Sequence, residues 1–401
     1  MEPEIIHRDD HTVTRKLFSQ AAIKVLYRLN SAGHVAYLAG GAVRDILLGH
    51  RPKDFDIVTD ARPNKIKKVF RNSRMIGRRF RLAHIYFHDE IIECATFRRE
   101  LDESEEPAKK THFSKNGGMV MRDNVYGTPE QDALRRDFTV NALFYNIKDF
   151  TVIDYVKGMQ DLDQRIIRCI GDPHVRYAED PVRMIRALRF AAKLDFDVEQ
   201  ETYRAIQDQA ALLANASPAR MYEEVQKLFF CGNARKLIYY LEDTGLLEVL
   251  FLDLTKFLAE NPKEKLWIER VAKQLDVWRK AEKQISATLL FALIFGPICE
   301  HAAERVKGER AGCVRSAAQS QLNGLRERIV IPNHVKTSVA HILADQHSLL
   351  NPHRRKKAGR FLHRKGFAES FIYFKLRSRH IGENAKDIEW WENRLKNKGG
   401  K

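Results

Sequence analysis

The chain has no apolar run long enough to cross a bilayer. The longest, residues 287–299, falls short of the roughly 20 residues that a spanning helix needs, and reads as a buried helix instead. The opening Met-Glu-Pro-Glu-Ile-Ile-His-Arg-Asp-Asp carries no apolar signal core, which argues against export. Cysteine is scarce: Cys94, Cys169, Cys231, Cys299 and Cys313 are odd in number, scattered, and never in Cys-x-x-Cys spacing. That pattern argues against a structural zinc and predicts a reducing, cytoplasmic setting. Acidic residues are the minority charge, 53 against 69 Lys and Arg, leaving a formal net charge of +16. Such a surplus favours a polyanionic partner, and with no membrane span in view nucleic acid is the expected one.

What is present divides the chain in two. Residues 15–31 carry helical periodicity, with Ala22, Val25, Leu26 and Leu29 on one stripe. A strand over 34–38, a turn at Gly40-Gly41, a short helix over 42–48 and a strand over 54–59 follow. Pro63 opens another helix, and strands are expected over 81–87 and 91–97. Residues 101–118 turn polar and read as a mobile loop. Beyond Asp172-Pro173 the pattern is helical to the end, and no internal repeat is evident. The expected fold class is α+β: a small mixed α/β head followed by helices.

The densest chemistry lies in Lys-Asp54-Phe-Asp56-Ile-Val, thirteen residues after the glycine pair. Strand side chains at i and i+2 share a face, so the two carboxylates can converge on the same cation. Phe55, Ile57 and Val58 make this strand largely buried, where two acids are costly unless a cation compensates them. Carboxylate oxygens with room left for substrate phosphates suit Mg²⁺. The Gly40-Gly41 turn before a helix can hold a triphosphate, and Arg44 in the first turn could reach it. A further acid is expected; Glu93, inside Ile-Ile-Glu-Cys-Ala, and Asp137, inside Arg-Arg-Asp-Phe-Thr-Val-Asn-Ala, are the candidates. An N-cap or a structural ion pair explains Asp137 nearly as well.

In Glu179-Asp180-Pro-Val-Arg183, Asp180 can cap a helix whose first residue is Pro181, with Arg183 on the same side. An acid beside an arginine offers an acceptor next to a donor, matching the edge of adenine or cytosine while rejecting guanine and uracil. Arg78, Arg79 and Arg81 could bind primer or nucleotide phosphate. From Arg354 to Arg379 basic residues alternate with Phe361, Phe367, Phe371, Tyr373 and Phe374, which suggests phosphate contact with base stacking on exposed rings.

Leu-Ala-Gly40-Gly41-Ala-Val-Arg44-Asp, Asp54-Phe-Asp56, Arg135-Arg136-Asp137-Phe-Thr-Val-Asn141-Ala and Glu179-Asp180-Pro-Val-Arg183 together resemble, in order, the motifs of class II nucleotidyltransferases. These comprise tRNA CCA-adding enzymes and bacterial poly(A) polymerases, and the resemblance covers roughly residues 7–235. It implies a catalytic head (1–168), a base-reading neck (169–235), a helical body (236–350) and a basic RNA-binding tail (351–401). It further implies that Gly40, Gly41 and Arg44 bind the triphosphate, and that Asp54 and Asp56 bind Mg²⁺. Asp137 would join the catalytic acids, Arg136 and Asn141 would lie near the sugar, and Asp180 with Arg183 would face the base. Met75-Ile-Gly-Arg-Arg-Phe-Arg-Leu-Ala-His-Ile-Tyr-Phe87 resembles the poly(A) polymerase branch. The expected activity is template-independent addition of AMP from ATP to RNA 3′ ends, of mRNA and other transcripts, with two metal ions and RNA-decay proteins as partners. A CCA-adding enzyme is the alternative, and a non-catalytic RNA-binding protein on the same scaffold the third reading.

Overall fold

A computed structural model describes residues 2–77, 81–100, 125–354 and 358–399. The loop expected over 101–118, Arg78 and Arg79 of the basic cluster, and residues 355–357 of the tail lie outside the described residues. The chain forms two compact units, Met1–Arg183 with Asp195–Ile206, and Met184–Leu194 with Gln207–Lys401.

The first unit is built on a mixed sheet. Its strands, in chain order, begin with β1 (Glu4–Ile6), β2 (Ala36–Ala39), β3 (Asp56–Thr59), β4 (Ser73–Ile76), β5 (Leu82–Tyr86) and β6 (Ile91–Thr96). A separate short pair, β7 (Arg98–Arg99) and β8 (Val125–Tyr126), follows; β9 (Phe144–Asn146) and β10 (Thr151–Asp154) return to the main sheet. The main sheet runs β1-β10-β9-β2-β3-β6-β5-β4, antiparallel throughout except for β3 beside β6. Helix α1 (Gln20–Ser31) starts at Ser19, whose hydroxyl accepts from the Ala22 amide at 3.0 Å, and buries the expected stripe of Ala22, Val25, Leu26 and Leu29. The further helices of this unit include α2 (Gly41–Leu47), α3 (Pro63–Val69), α4 (Pro129–Leu134), α5 (Gly158–Gln164) and α6 (Pro173–Glu179).

One strand starts later than its sequence suggests. The ladder of β3 opens at Asp56, opposite Ala39, the last residue of β2 before the Gly40 bend, so Asp54 and Phe55 lie ahead of the ladder. Phe55 is nevertheless buried against Phe18, with ring centroids 6.2 Å apart, so the stretch alternates inward and outward without ladder bonds. The strands β1, β4, β7, β8, β9 and β10 are additions to the pattern expected from the sequence.

Among the described residues the second unit is helical. At its centre lies the helix Ala287–Glu304, capped by Ser286 and buried from Leu289 through Cys299. It runs past residue 299, so by length and composition it is apolar enough to cross a membrane; its burial, not its length, marks it as a core helix. Trp267 donates to the Leu293 carbonyl at 2.8 Å, and Tyr373 donates to Glu300 at 2.7 Å. The tail corrects one expectation. Phe367, Phe371, Tyr373 and Phe374 are buried, the three phenylalanines packing with Trp391 and Ile388, and are not rings offered to bases. Nor is every cation free of a partner: Arg377 holds Glu264 and Glu300, the exposed Arg364 holds Asp345, and Lys375 holds Glu392. These rings face inward because the helix Phe367–Ile381 must cover Leu349 and the helix Ala385–Gly399.

Candidate active site

Pairing of β2 with β3 sets Ala39 opposite Asp56, so the acid lies beside the residue that leads into Gly40. Pairing of β3 with β6 sets Asp56 opposite Glu93. Asp54 and Asp56 are both exposed while Phe55 and Ile57 are buried, so the two acids share the open face. Glu93 lies on that face too, with the His84 Nε2 atom 3.4 Å from one carboxylate oxygen. Water reaches the Asp56 carboxyl, yet enough protein crowds round it that desolvation, then Glu93, then Asp54, raise its pKa to about 6, against a partial offset from Arg136.

Gly40 has φ +66° and ψ −123°, the mirror image of extended backbone, which glycine alone adopts freely. A Cβ there would meet Arg136 Nη1 at 2.8 Å and the Asn141 carbonyl at 3.1 Å. Arg44 is buried; it donates to Asp45 at 2.5 and 2.9 Å and to the Asn141 side chain. Asn141 in turn donates to Asp137 at 3.2 Å, and the same Asp137 oxygen accepts from the Phe138 amide at 2.9 Å. Arg136 donates to the Asn141 carbonyl at 3.1 Å and grips Asp132 at 3.1 Å. Gly40, Arg44, Arg136, Asp137 and Asn141 thus form one bonded group, and Arg136 acts electrostatically on Asp56 from it. Around Gly41 the backbone is ordinary, and a Cβ would lie 3.6 Å from Arg44.

At the end of α6, Asp180 accepts from the Val182 amide at 3.2 Å, as a cap. Arg183 donates at 3.0 Å to Glu179, one residue before Asp180, and at 3.0 Å to the Arg176 carbonyl.

Two residues of this region were not singled out in the sequence. Asp132 is 1 % exposed and ties together Arg135, Arg136 and the Arg98 amide. Arg176 is buried and bonded on both sides. A signal for Asp132 was there: an acid three and four residues before paired arginines on a helix.

Hard carboxylate oxygens facing a common space, one of them unfavourably crowded by the others, fit a divalent cation. Among the described residues no three His, Cys, Asp or Glu are grouped closely enough to hold a metal ion by themselves.

Residues 36–168 match the poly(A) polymerase head domain, residues 195–258 the family described as "Probable RNA and SrmB- binding site of polymerase A", and residues 308–400 the polymerase A arginine-rich C-terminus. Poly(A) polymerase I of Salmonella typhimurium is 41% identical over 96% of this chain and 84% of its own length. The Haemophilus influenzae enzyme of the same name is 44% identical over 77% of this chain and 68% of its own. A Lactobacillus gasseri CCA-adding enzyme is 37% identical, over 57% of this chain and 54% of its own. In fold, the chain resembles the Bacillus stearothermophilus CCA-adding enzyme in complex with CTP, with a TM-score of 0.69 and 24% identity over 96% of this chain and 83% of that one.

Proposed function

Since the chain belongs to the poly(A) polymerase I family, we propose that the carboxylates and arginines just described form its polymerisation site. The protein adds AMP from ATP to RNA 3′ ends without a template and releases pyrophosphate. The primer 3′-hydroxyl gives up its proton to solvent and its oxygen bonds to the α-phosphorus as the bond from that phosphorus to the pyrophosphate oxygen breaks. The observation that carries the site assignment is the register: Asp56 lies opposite Ala39, next to the Gly40 bend, and opposite Glu93 across the parallel pair.

In this reading Asp54 and Asp56, with Glu93 or Asp137 as the further acid, hold Mg²⁺. When bound, the ion activates the attacking hydroxyl and neutralises charge on the leaving group. The protein's own work is positioning. Gly40, lacking a Cβ, leaves Arg136 room to reach the Asn141 carbonyl. Arg44 supplies positive charge for the triphosphate, Arg136 and Asn141 lie near the sugar, and Asn141 fixes Arg44 against Asp137. Asp180 and Arg183 read the adenine edge. The reading carries with it a cytoplasmic location and RNA-decay proteins as partners.

The test is primer extension on RNA with each nucleoside triphosphate in turn. Asp54→Ala should abolish AMP incorporation while RNA still binds; near-normal extension by that variant would overturn the metal assignment. A tRNA lacking its terminal CCA separates the branches, because a CCA-adding enzyme consumes CTP and stops, whereas this chain should keep extending with ATP.

A further inference from the structure

Arg176 sits where two parts of the site meet. It is 5 % exposed, within the short helix α6 that Asp172 caps. Its Nη2 donates to two consecutive carbonyls, of Arg135 at 2.7 Å and Arg136 at 3.0 Å. Its Nη1 donates to Glu100 at 2.5 Å and to Glu179 at 3.1 Å. Arg183 donates to that same Glu179 oxygen and to the carbonyl of Arg176 itself, both at 3.0 Å. Arg183 therefore hangs from Arg176 by two routes, and the far side of the guanidinium grips the segment from which Arg136 reaches Asp132 and Asn141.

We propose that Arg176 is a positioning residue for base choice, a strut that fixes the distance between the base-reading Arg183 and the Arg135–Arg136 segment beside the sugar. This rests on the site assignment given above. Adenine and cytosine present the same amino donor beside the same ring acceptor, so an acid–arginine reader alone cannot separate them. They differ in where that edge lies: the purine carries it one fused ring farther from the sugar. A reader of the edge tells the two apart only if its separation from the sugar is held constant. A planar guanidinium with five N–H donors can bridge two carbonyls and two carboxylates at once, whereas an ammonium at the same place keeps the charge and loses the span.

The experiment compares kcat/KM for ATP and for CTP on one RNA primer, in the wild type, Arg176→Lys, Arg183→Lys and the double variant. Arg176→Lys should narrow the ATP-over-CTP ratio at least tenfold. In the double variant the two effects should fall well short of adding, since both act through one bonded unit. A merely structural Arg176 would lower the melting temperature and total activity but leave the ratio unmoved. If Arg183→Lys leaves the ratio unchanged, the base-reading assignment fails. If Arg183→Lys narrows the ratio while folded Arg176→Lys keeps it at the wild-type value, the strut alone is refuted. Should Arg176→Lys not fold, Glu100→Ala removes one of the four acceptors from an exposed position: a narrowed ratio supports the strut, and a wild-type ratio overturns it.

Discussion

Two adjacent glycines that look equivalent in sequence should respond oppositely to one added methyl group. Gly40→Ala forces an L side chain into backbone at φ +66° and ψ −123°, a strain of about 1–3 kcal/mol. The new Cβ would also stand 2.8 Å from Arg136 Nη1. That atom can retreat only by giving up the Asn141 carbonyl at 3.1 Å and loosening the grip on Asp132, and a hydrogen bond to a charged group contributes about 1.5–3 kcal/mol. Together these give a loss of about 4 kcal/mol. Gly41→Ala meets no strain and an ordinary 3.6 Å contact with Arg44, and it begins a helix, where alanine gains up to about 1 kcal/mol. Tryptophan fluorescence is the wrong probe, because Trp267, Trp278, Trp390 and Trp391 all belong to the second unit. Hydrogen exchange on peptides covering residues 36–60 reads the right place. A gap of about 4 kcal/mol corresponds to local opening roughly 1,000-fold more frequent in Gly40→Ala than in Gly41→Ala. If the two variants exchange within about fivefold of each other, the conformational argument for Gly40 is wrong.

The raised pKa of Asp56 sets a pH dependence. Its folded value is about 6 against an ordinary 3.8, so its share of stability is full below pH 3.8 and is lost as pH rises through about 6. Millimolar Mg²⁺ should therefore raise the melting temperature of the first unit more at pH 7.5 than at pH 5, and equal increments would contradict a metal at Asp56. In the second unit, a Cβ at Gly296 would overlap the Tyr373 hydroxyl and stand 2.7 Å from its Cζ. Gly296→Ala should lower the urea midpoint by about 1–3 kcal/mol equivalent, followed through Trp267, whose ring lies 6.0 Å from Tyr373. Gly312→Ala, with nothing within 4 Å of its Cβ, is the matched control and should not destabilise. All five cysteines are free and buried, and burial pushes the thiols of Cys94 and Cys299 up to about 12. A maleimide should leave the native protein unlabelled and fully active, and rapid loss of activity would contradict that burial.

Local signals in the sequence were legible where the physics is local. The stripe of α1, the glycine bend and the outward facing of Asp54 and Asp56 all follow from neighbours within a few residues. What could not be read is pairing between distant segments. Nothing near Glu93 says that β6 lies parallel to β3 with Glu93 opposite Asp56; that depends on the sheet order, which a long-range register fixes. The same limit hid the true start of β3, which opens at Asp56 where its pairing with Ala39 of β2 begins. The tail shows a second kind of limit. Its alternation of rings and cations is the pattern of a helix with one buried face, and also the pattern of a nucleic-acid surface; burial of Phe367, Phe371 and Phe374 against Trp391 decides for the first.

Arg176 shows why the base-reading end was the hardest part to anticipate. An arginine in the last turn of a helix ordinarily reads as a solvated cation favoured by the helix dipole. Here the carbonyls of Arg135 and Arg136 and the carboxylate of Glu100 converge on it from two segments far away in the chain, beside Glu179 of its own helix. Arg183, placed beside Asp180 by spacing, is instead held by Glu179 through the oxygen that Arg176 also uses. Spacing on a helix restricts a side chain to a face; which partner it takes on that face is settled by the other charges that the fold brings there. Base choice in a template-free polymerase should then depend on residues that never touch the base, and variants at Glu179 should disturb ATP preference through Arg183 even where Asp180 is intact.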